Sequence, residues 1–334
     1  MAFRRKDVSV ARDSARPMEK AARVGSIGAT TALTRIQRAR QGHQRDTRTA
    51  MTDKMAKGTT QAEKARRFAA LHARPGAFVI PNPWDAGTAR ILTRLGFEAL
   101  TTTSAGLAFT LGRRDGSGEV SRAETLANAR AIVDATELPV AADLENGFGH
   151  APEDAAETIR LAAEMAGLVG GSIEDATGES SNPIYDFQHA VERVTAAAEA
   201  ARALPYPFML VGRAENYLHG RPDLDDTIRR LQAYEKAGAE VLYAPGLTRA
   251  EDIRTVCGSL TKPVNVLMGI KGAPFSVSEL ADLGVRRISV GSGLNRVALT
   301  KFIASARDIR DHGTFGFVDD ALPFAEISDL VAPR

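Results

Sequence analysis

The sequence predicts a (β/α)8 barrel, and three observations carry that expectation. Short apolar runs alternate with helical stretches eight times from residue 77 onward. The helical stretches end at glycine or proline, as helix C-termini do. The first apolar run is followed by Asn82-Pro83-Trp84-Asp85 and not by the glycine fingerprint that opens a dinucleotide-binding open sheet. Eight parallel units are the number that closes a barrel, and 334 residues leave room for it.

Residues 1–57 stand apart. They hold 14 Lys/Arg against 5 Asp/Glu, carry no sustained apolar period, and read as a disordered basic extension. Met51 and Met55 offer a second reading, in which translation starts there and the extension is an artefact of gene assignment. The remaining chain, 58–334, is expected to be one catalytic barrel with a C-terminal helical segment. It carries 29 Lys/Arg against 36 Asp/Glu. The body is therefore mildly acidic, which argues against a general nucleic-acid-binding surface. No apolar run approaches a membrane span, so neither nucleic acid nor membrane is expected as a partner. Cys257 is the only cysteine, which excludes an internal disulfide and fits a reducing, cytoplasmic setting.

In chain order, 62–71 has helical spacing through Ala65, Phe68, Ala69 and Leu71, and Pro75-Gly76 stops it. Strands are predicted at 77–81, 99–103, 139–142, 168–173, 208–211, 240–244, 263–268 and 287–290. Helices are predicted at 86–95, 122–135, 151–166, 187–203, 224–237, 249–257 and 276–283. Gly96, Gly167, Gly238 and Gly284 follow four of them.

In such a barrel the chemistry collects where strands end, and acidic residues recur there. Asp143 and Glu145 follow the third run in AADLENGFG; spaced two apart on a strand, both would face one side. Glu174 and Asp175 follow the fourth in GSIEDATG. Crowded carboxylates need a cation, a proton or a salt bridge, and oxygen ligands suit Mg²⁺. Ser104, Gly106 and Leu107 lie in TTTSAGLA after the second run, where small residues would leave backbone N–H groups for an anion. Asp115 lies in GRRDG, Arg213 in GRAEN and Asn265 in PVNVL. Arginine opposite a metal site can fork a carboxylate, although a salt bridge to Glu215 or Glu174 is the alternative. Tyr185 could donate a proton. His150 begins a helix and reads as a surface cap.

Together with VIPNPWDAGTARILTRLGFEAL and ISVGSGL, these motifs resemble the isocitrate lyase/phosphoenolpyruvate mutase superfamily over roughly residues 62–310. The resemblance implies a TIM barrel that uses Mg²⁺, with Mn²⁺ as an alternative, on 2-oxo acids or related phosphonates through an enolate. It implies Asp143 as direct metal ligand, with Glu145, Glu174 and Asp115 holding the metal's waters. Ser104, Gly106 and Leu107 would cradle the substrate carboxylate, and Arg213, with Asn265 nearby, would bind its far end. Arg213, Asp115 and Tyr185 are the residues expected nearest the chemistry. A homo-oligomer, dimer or tetramer, is expected from helix exchange.

Two departures narrow the reading. The segment after the fourth run, 179–186, has no cysteine, unlike the isocitrate and methylisocitrate lyases. The sixth run ends in Ala244-Pro245-Gly246, without a glutamate. The expectation is a Mg²⁺-dependent carbon–carbon lyase for a small 2-oxo or 2-hydroxy di- or tricarboxylic acid, nearest the oxaloacetate-decarboxylase-like or phosphonomutase-like branch. The alternatives are a phosphonomutase or phosphonopyruvate hydrolase and a barrel that binds without turnover.

Overall fold

A computed structural model describes residues 59–333. The expected disorder of 1–57 therefore lies outside the described residues. Every predicted run forms a strand: β1 (Phe78–Ile80), β2 (Leu100–Thr101), β3 (Val140–Asp143), β4 (Gly170–Glu174), β5 (Met209–Arg213), β6 (Val241–Tyr243), β7 (Val264–Leu267) and β8 (Arg287–Ser289). All neighbours pair in parallel, and β8 pairs with β1. The gap between β1 and β2 is bridged by the Thr101 N–H donating to Pro81 O at 3.1 Å, which closes the barrel.

The helices fall close to where periodicity places them. They are α1 (Gln61–Ala73), α2 (Ala86–Arg94), α3 (Ser104–Thr110), α4 (Arg122–Asp134), α5 (Pro152–Glu164), α6 (Phe187–Arg202), α7 (Leu224–Ala237), α8 (Ala250–Gly258), α9 (Val277–Asp282), α10 (Gly293–His312) and α11 (Phe324–Val331). Side-chain caps fix several starts: Thr60, Asp85, Ser121 and Ser276 each accept from a backbone N–H three residues on. The short helix α3 was not anticipated, because the stretch reads as a small-residue loop.

Strand alternation decides what faces the barrel axis. Ala141, Val169, Met209, Val211, Val241 and Tyr243 share one apolar cluster with Phe68 of α1. Val140, Ala142 and Leu210 belong instead to the layer packed under helices. Phe68 is fully buried and plugs the bottom of the barrel. Gly170 makes that possible: a Cβ there would meet Phe68 Cε1 and Met209 O, each at 2.9 Å. Continuing the inward series Met209, Val211 brings Arg213 inward at the top of β5.

The C-terminal segment behaves differently. Only Asn295 of α10 is buried, and Val297 and Phe302 are each 69% exposed. The chain returns through α11, where Arg90 and Arg94 of α2 donate to Val331 O and Ala332 O at 2.9 and 3.0 Å.

Candidate active site

The upper ends of β3, β4 and β5 bring their charged residues together. Glu174 and Arg213 are register partners across β4 and β5. Arg213 Nη1 lies 3.0 Å from Glu174 Oε2 and 3.4 Å from Asp143 Oδ1, while its Nε donates to Glu215 Oε1. Tyr243 supports the guanidinium from below, its ring centroid 5.2 Å away. On the other side of Asp143, the Ser104 hydroxyl donates to Oδ2 at 3.1 Å. Asp115 lines the same cavity as Ser104, on the loop after α3.

Glu145 reaches this group differently from the expected way. β3 ends at Asp143, so strand alternation does not place Glu145. Its φ of 49° puts it in the left-handed region, and its N–H donates to Asp143 Oδ1 at 3.2 Å. Non-glycine residues in that region store strain and concentrate at functional sites. Phe148, in the same turn, has φ 60°. The turn is anchored by Leu144, fully buried against β4, where a Cβ on Gly171 would come within 2.6 Å of Leu144 Cδ1.

The electrostatics are lopsided. Asp115, Asp143, Glu145, Glu174 and Glu215 surround one guanidinium. Burial, then the charges of Asp143 and Asp115, push Glu145 up to about 7. Burial and the Asp143 charge raise Asp115. Burial raises Glu174 well above the carboxylate range despite Arg213. For Arg213 itself, burial pulls downward, but the charges of Glu215, Glu174 and Asp143 outweigh it and hold it firmly cationic.

A cavity of about 1170 Å³ opens above this cluster. Ser104, Asp115, Glu145, Glu174 and Arg213 line it, with Val120, Leu126 and Phe148 as apolar wall. Four predicted site residues stand elsewhere. Gly106 and Leu107 are buried in α3, and their N–H groups are spent on Thr103 Oγ1 (3.3 Å) and Thr103 O (3.1 Å) in closing the helix's first turn. They are not free to cradle a carboxylate. Asn265 is 1% exposed inside the barrel, donating to Ser289 Oγ at 3.0 Å. Tyr185 is buried off the cavity wall, its hydroxyl 2.7 Å from His150 Nδ1. Asp175 also turns away. It accepts from Tyr234 Oη at 2.6 Å, Arg230 Nη1 at 3.0 Å and the Glu215 N–H at 2.8 Å.

Three side chains enter the cavity wall that sequence reasoning left aside or read otherwise. Glu215 was read only as a salt-bridge alternative for Arg213. His150 is no helix cap, since Asp154 accepts from the Ala151 N–H at 3.0 Å. His219 lies six residues beyond Arg213 in the stretch ENYLHG. The only available signal was an imidazole in a loop that follows a charged strand end.

The donor set fits a hard cation held loosely. Among the described residues, no three His, Cys, Asp or Glu side chains gather closely enough to enclose an ion by themselves. Mg²⁺ does not need that: it takes one or two carboxylates and keeps several waters. Five acids, four of them (Asp115, Glu145, Glu174 and Glu215) held above their ordinary range by burial and by one another, are the surroundings such a charge would relieve. Asp143 would be the residue to contact such an ion directly, with Glu145, Glu174 and Asp115 around it to hold its waters.

Comparison with known proteins gives consistent matches. The family model described as phosphoenolpyruvate phosphomutase matches residues 68–310. A solved structure from Burkholderia cenocepacia J2315, assigned provisionally as a lyase/mutase, is 57% identical with a TM-score of 0.79; the match covers 82% of this chain and 97% of that one. The 2,3-dimethylmalate lyase of Eubacterium barkeri is 27% identical over 76% of this chain and 89% of its own length. An oxaloacetate decarboxylase of Bradyrhizobium sp. is 30% identical over 62% and 70% respectively.

Proposed function

The chain belongs to the phosphoenolpyruvate mutase/isocitrate lyase superfamily, enzymes that act as lyases or mutases on carboxylates and generally depend on a divalent metal; from that premise we propose that it is a Mg²⁺-dependent carbon–carbon lyase. Its substrate is a small 2-oxo or 2-hydroxy di- or tricarboxylic acid, cleaved through an enolate. The observation that supports this most is the single guanidinium of Arg213 set among Asp143, Glu174 and Glu215 at the mouth of a cavity that Asp115 and Glu145 also line.

When bound, Mg²⁺ would act as a Lewis acid and template for the substrate's oxo and carboxylate oxygens. Ser104 keeps Asp143 oriented through its 3.1 Å hydrogen bond. Arg213, always protonated, has Nε on Glu215 and Nη1 on Glu174 and Asp143, which fix the guanidinium plane and leave Nη2 to reach the substrate's second carboxylate. Val120, Leu126 and Phe148 give the cavity an apolar wall, which would limit water around a bound substrate and strengthen charge interactions there.

The protein is further proposed to work as a homo-oligomer, because α10 leaves Leu294, Val297, Phe302 and Ile303 exposed. The function is tested by offering 2-oxo acids and 2-hydroxy di- and tricarboxylates with Mg²⁺ and measuring pyruvate or glyoxylate release. Turnover of phosphonopyruvate or phosphoenolpyruvate alone would replace the lyase reading with a phosphonate one. Binding of Mg²⁺ and carboxylates without turnover would leave a non-catalytic barrel.

A further inference from the structure

We infer that His219, in the loop after β5, is the catalytic residue that exchanges a proton with the substrate carbon next to the oxo group. The inference rests on the enolate reading above and assigns the acid/base that reading lacks.

His219 lines the same cavity as Asp115, Glu145, Glu174 and Arg213. Its Nε2 lies 3.8 Å from Glu215 Oε2. Its own N–H donates to Glu215 O at 3.2 Å, and that of Leu218 to the same oxygen at 3.1 Å. Glu215 is fixed in turn, since its side chain is 3% exposed, bound by Arg213 Nε, and its N–H donates to Asp175 Oδ1 at 2.8 Å. The loop backbone thus pins the imidazole beside an anchored carboxylate, 3.8 Å away, close enough for charge attraction once the ring is protonated but beyond hydrogen-bond distance. Among the described residues, Nδ1 has no hydrogen-bond partner, so one ring nitrogen is left for a ligand.

Of the other titratable groups near the cavity, Asp115, Glu145 and Glu174 are assigned above to the metal's waters. His150 has its Nδ1 on Tyr185 Oη at 2.7 Å, and its side chain is 61% exposed. Tyr185 is off the wall. Cys257 lies at a separate cavity, and burial pushes its thiol up to about 11. β6 ends at Tyr243, which lies under Arg213 and whose hydroxyl burial pushes up to about 12, and Ala244-Pro245-Gly246 after it offer no ionisable side chain. The charged groups facing His219 are Glu215 and Asp175 on the acidic side and Arg213 and Arg221 on the basic side. Burial, aided by the two arginines against Asp175, holds its pKa below the ordinary imidazole value. That direction favours the neutral imidazole, the form that accepts a proton.

In the deprotonating direction, the C3–H bond breaks and its electron pair forms the C2–C3 double bond. The carbonyl pair moves to oxygen, and the imidazole nitrogen takes the proton. In the reverse direction the imidazolium N–H breaks, the C3–H bond forms, and the oxygen pair restores the carbonyl.

The test is deuterium wash-in at C3 of pyruvate, in D₂O with Mg²⁺, followed by proton NMR on the full chain. It reads enolisation without needing the cleavage substrate. The wild type is expected to exchange, and His219→Asn to lose roughly a hundredfold or more of that rate. Its KM should stay within about threefold and its thermal unfolding should match the wild type, while added imidazole should restore part of the rate of His219→Ala. A His219→Asn variant exchanging within about threefold of an active wild type overturns this inference alone. A wild type that exchanges no deuterium overturns the enolate reading and this inference with it.

Discussion

Arg213 lies 3.0 Å from Glu174, its register partner on the neighbouring strand. The same guanidinium binds Asp143 and Glu215, so it offsets part of the charge of the acid cluster. The sequence offered two roles for it, substrate fork and internal salt bridge; the structure shows the salt bridges, and the substrate role is the proposal to be tested. Arg213→Lys is therefore expected to lower thermal stability and to cost about 1.5–3 kcal/mol of kcat/KM, since one ammonium cannot serve Nε and Nη1 partners at once. Tm and kcat/KM measured on one preparation decide the matter. A lowered Tm with unchanged kcat/KM would remove Arg213 from substrate binding.

Asp143 carries the metal prediction. It is the acid held by both Ser104 and Arg213. Adding Mg²⁺ should raise the wild-type Tm, by the equivalent of about 2.7 kcal/mol at a hundredfold excess over Kd. Asp143→Ala should abolish that rise and all Mg²⁺-dependent turnover. The metal-free variant should be no less stable than the wild type, because one of five mutually repelling carboxylates is gone. A variant whose Tm still climbs with Mg²⁺ would show that the ligand lies elsewhere.

The fold was legible because its signals are redundant. Alternation, glycine stops and caps all agree, and Gly96, Gly167, Gly238 and Gly284 all take the positive φ that a helix stop requires. The site was legible only as residue types at strand ends. Asp143, Glu174 and Arg213 follow from strand position. Glu145 was found by the wrong argument, because a left-handed turn and not strand alternation aims it. Gly106 and Leu107 looked free because small residues after a strand resemble a loop, whereas Thr103 caps them into a helix. Asn265 and Tyr185 were misplaced because depth along a strand, or behind a loop, is a tertiary property that spacing does not encode.

Asp175 shows how one carboxylate of an adjacent pair becomes structural. It is 3% exposed and satisfied by Tyr234, Arg230 and the Glu215 N–H. Asp175→Ala leaves a buried guanidinium and hydroxyl without their acceptor and should cost about 3–5 kcal/mol of folding stability. Tyr234→Phe, which removes one hydrogen bond, should cost nearer 1 kcal/mol. Chemical denaturation of both variants measures this. Near-equal, small losses would mean that the network adds little.

Exposed apolar residues on α10 predict self-association. The wild type should run as a dimer or tetramer in light scattering, and Val297→Glu combined with Phe302→Glu should shift it towards monomer. Each residue is 69% exposed, so the double variant should fold normally as a single chain. A wild type that is already monomeric at micromolar concentration would sink the expectation.

At the opposite end of the barrel, His72 predicts acid sensitivity with a definite sign. Its Nδ1 lies 2.8 Å from Phe68 O, which makes that nitrogen the protonated one, and Nε2 is buried without a hydrogen-bond partner. The rings of Phe68 and Phe78 pack against it at 4.7 and 5.0 Å. Burial, and then the Arg287 charge, push its pKa down to about 3 from the ordinary 6.5. Between those two values the unfolded chain binds a proton that the folded chain refuses. Stability is thus unaffected above pH 6.5 and falls as the pH drops towards 3. At pH 4.5 the loss from this one group is about 2–3 kcal/mol. His72→Leu removes the titration but also the hydrogen bond to Phe68 O, worth about 1 kcal/mol. The variant should therefore be less stable than the wild type at pH 7.5 and more stable at pH 4.5. Denaturation curves for the two proteins should cross between those limits. Curves that stay parallel across the range would mean that His72 takes up its proton in the folded state as readily as in the unfolded one.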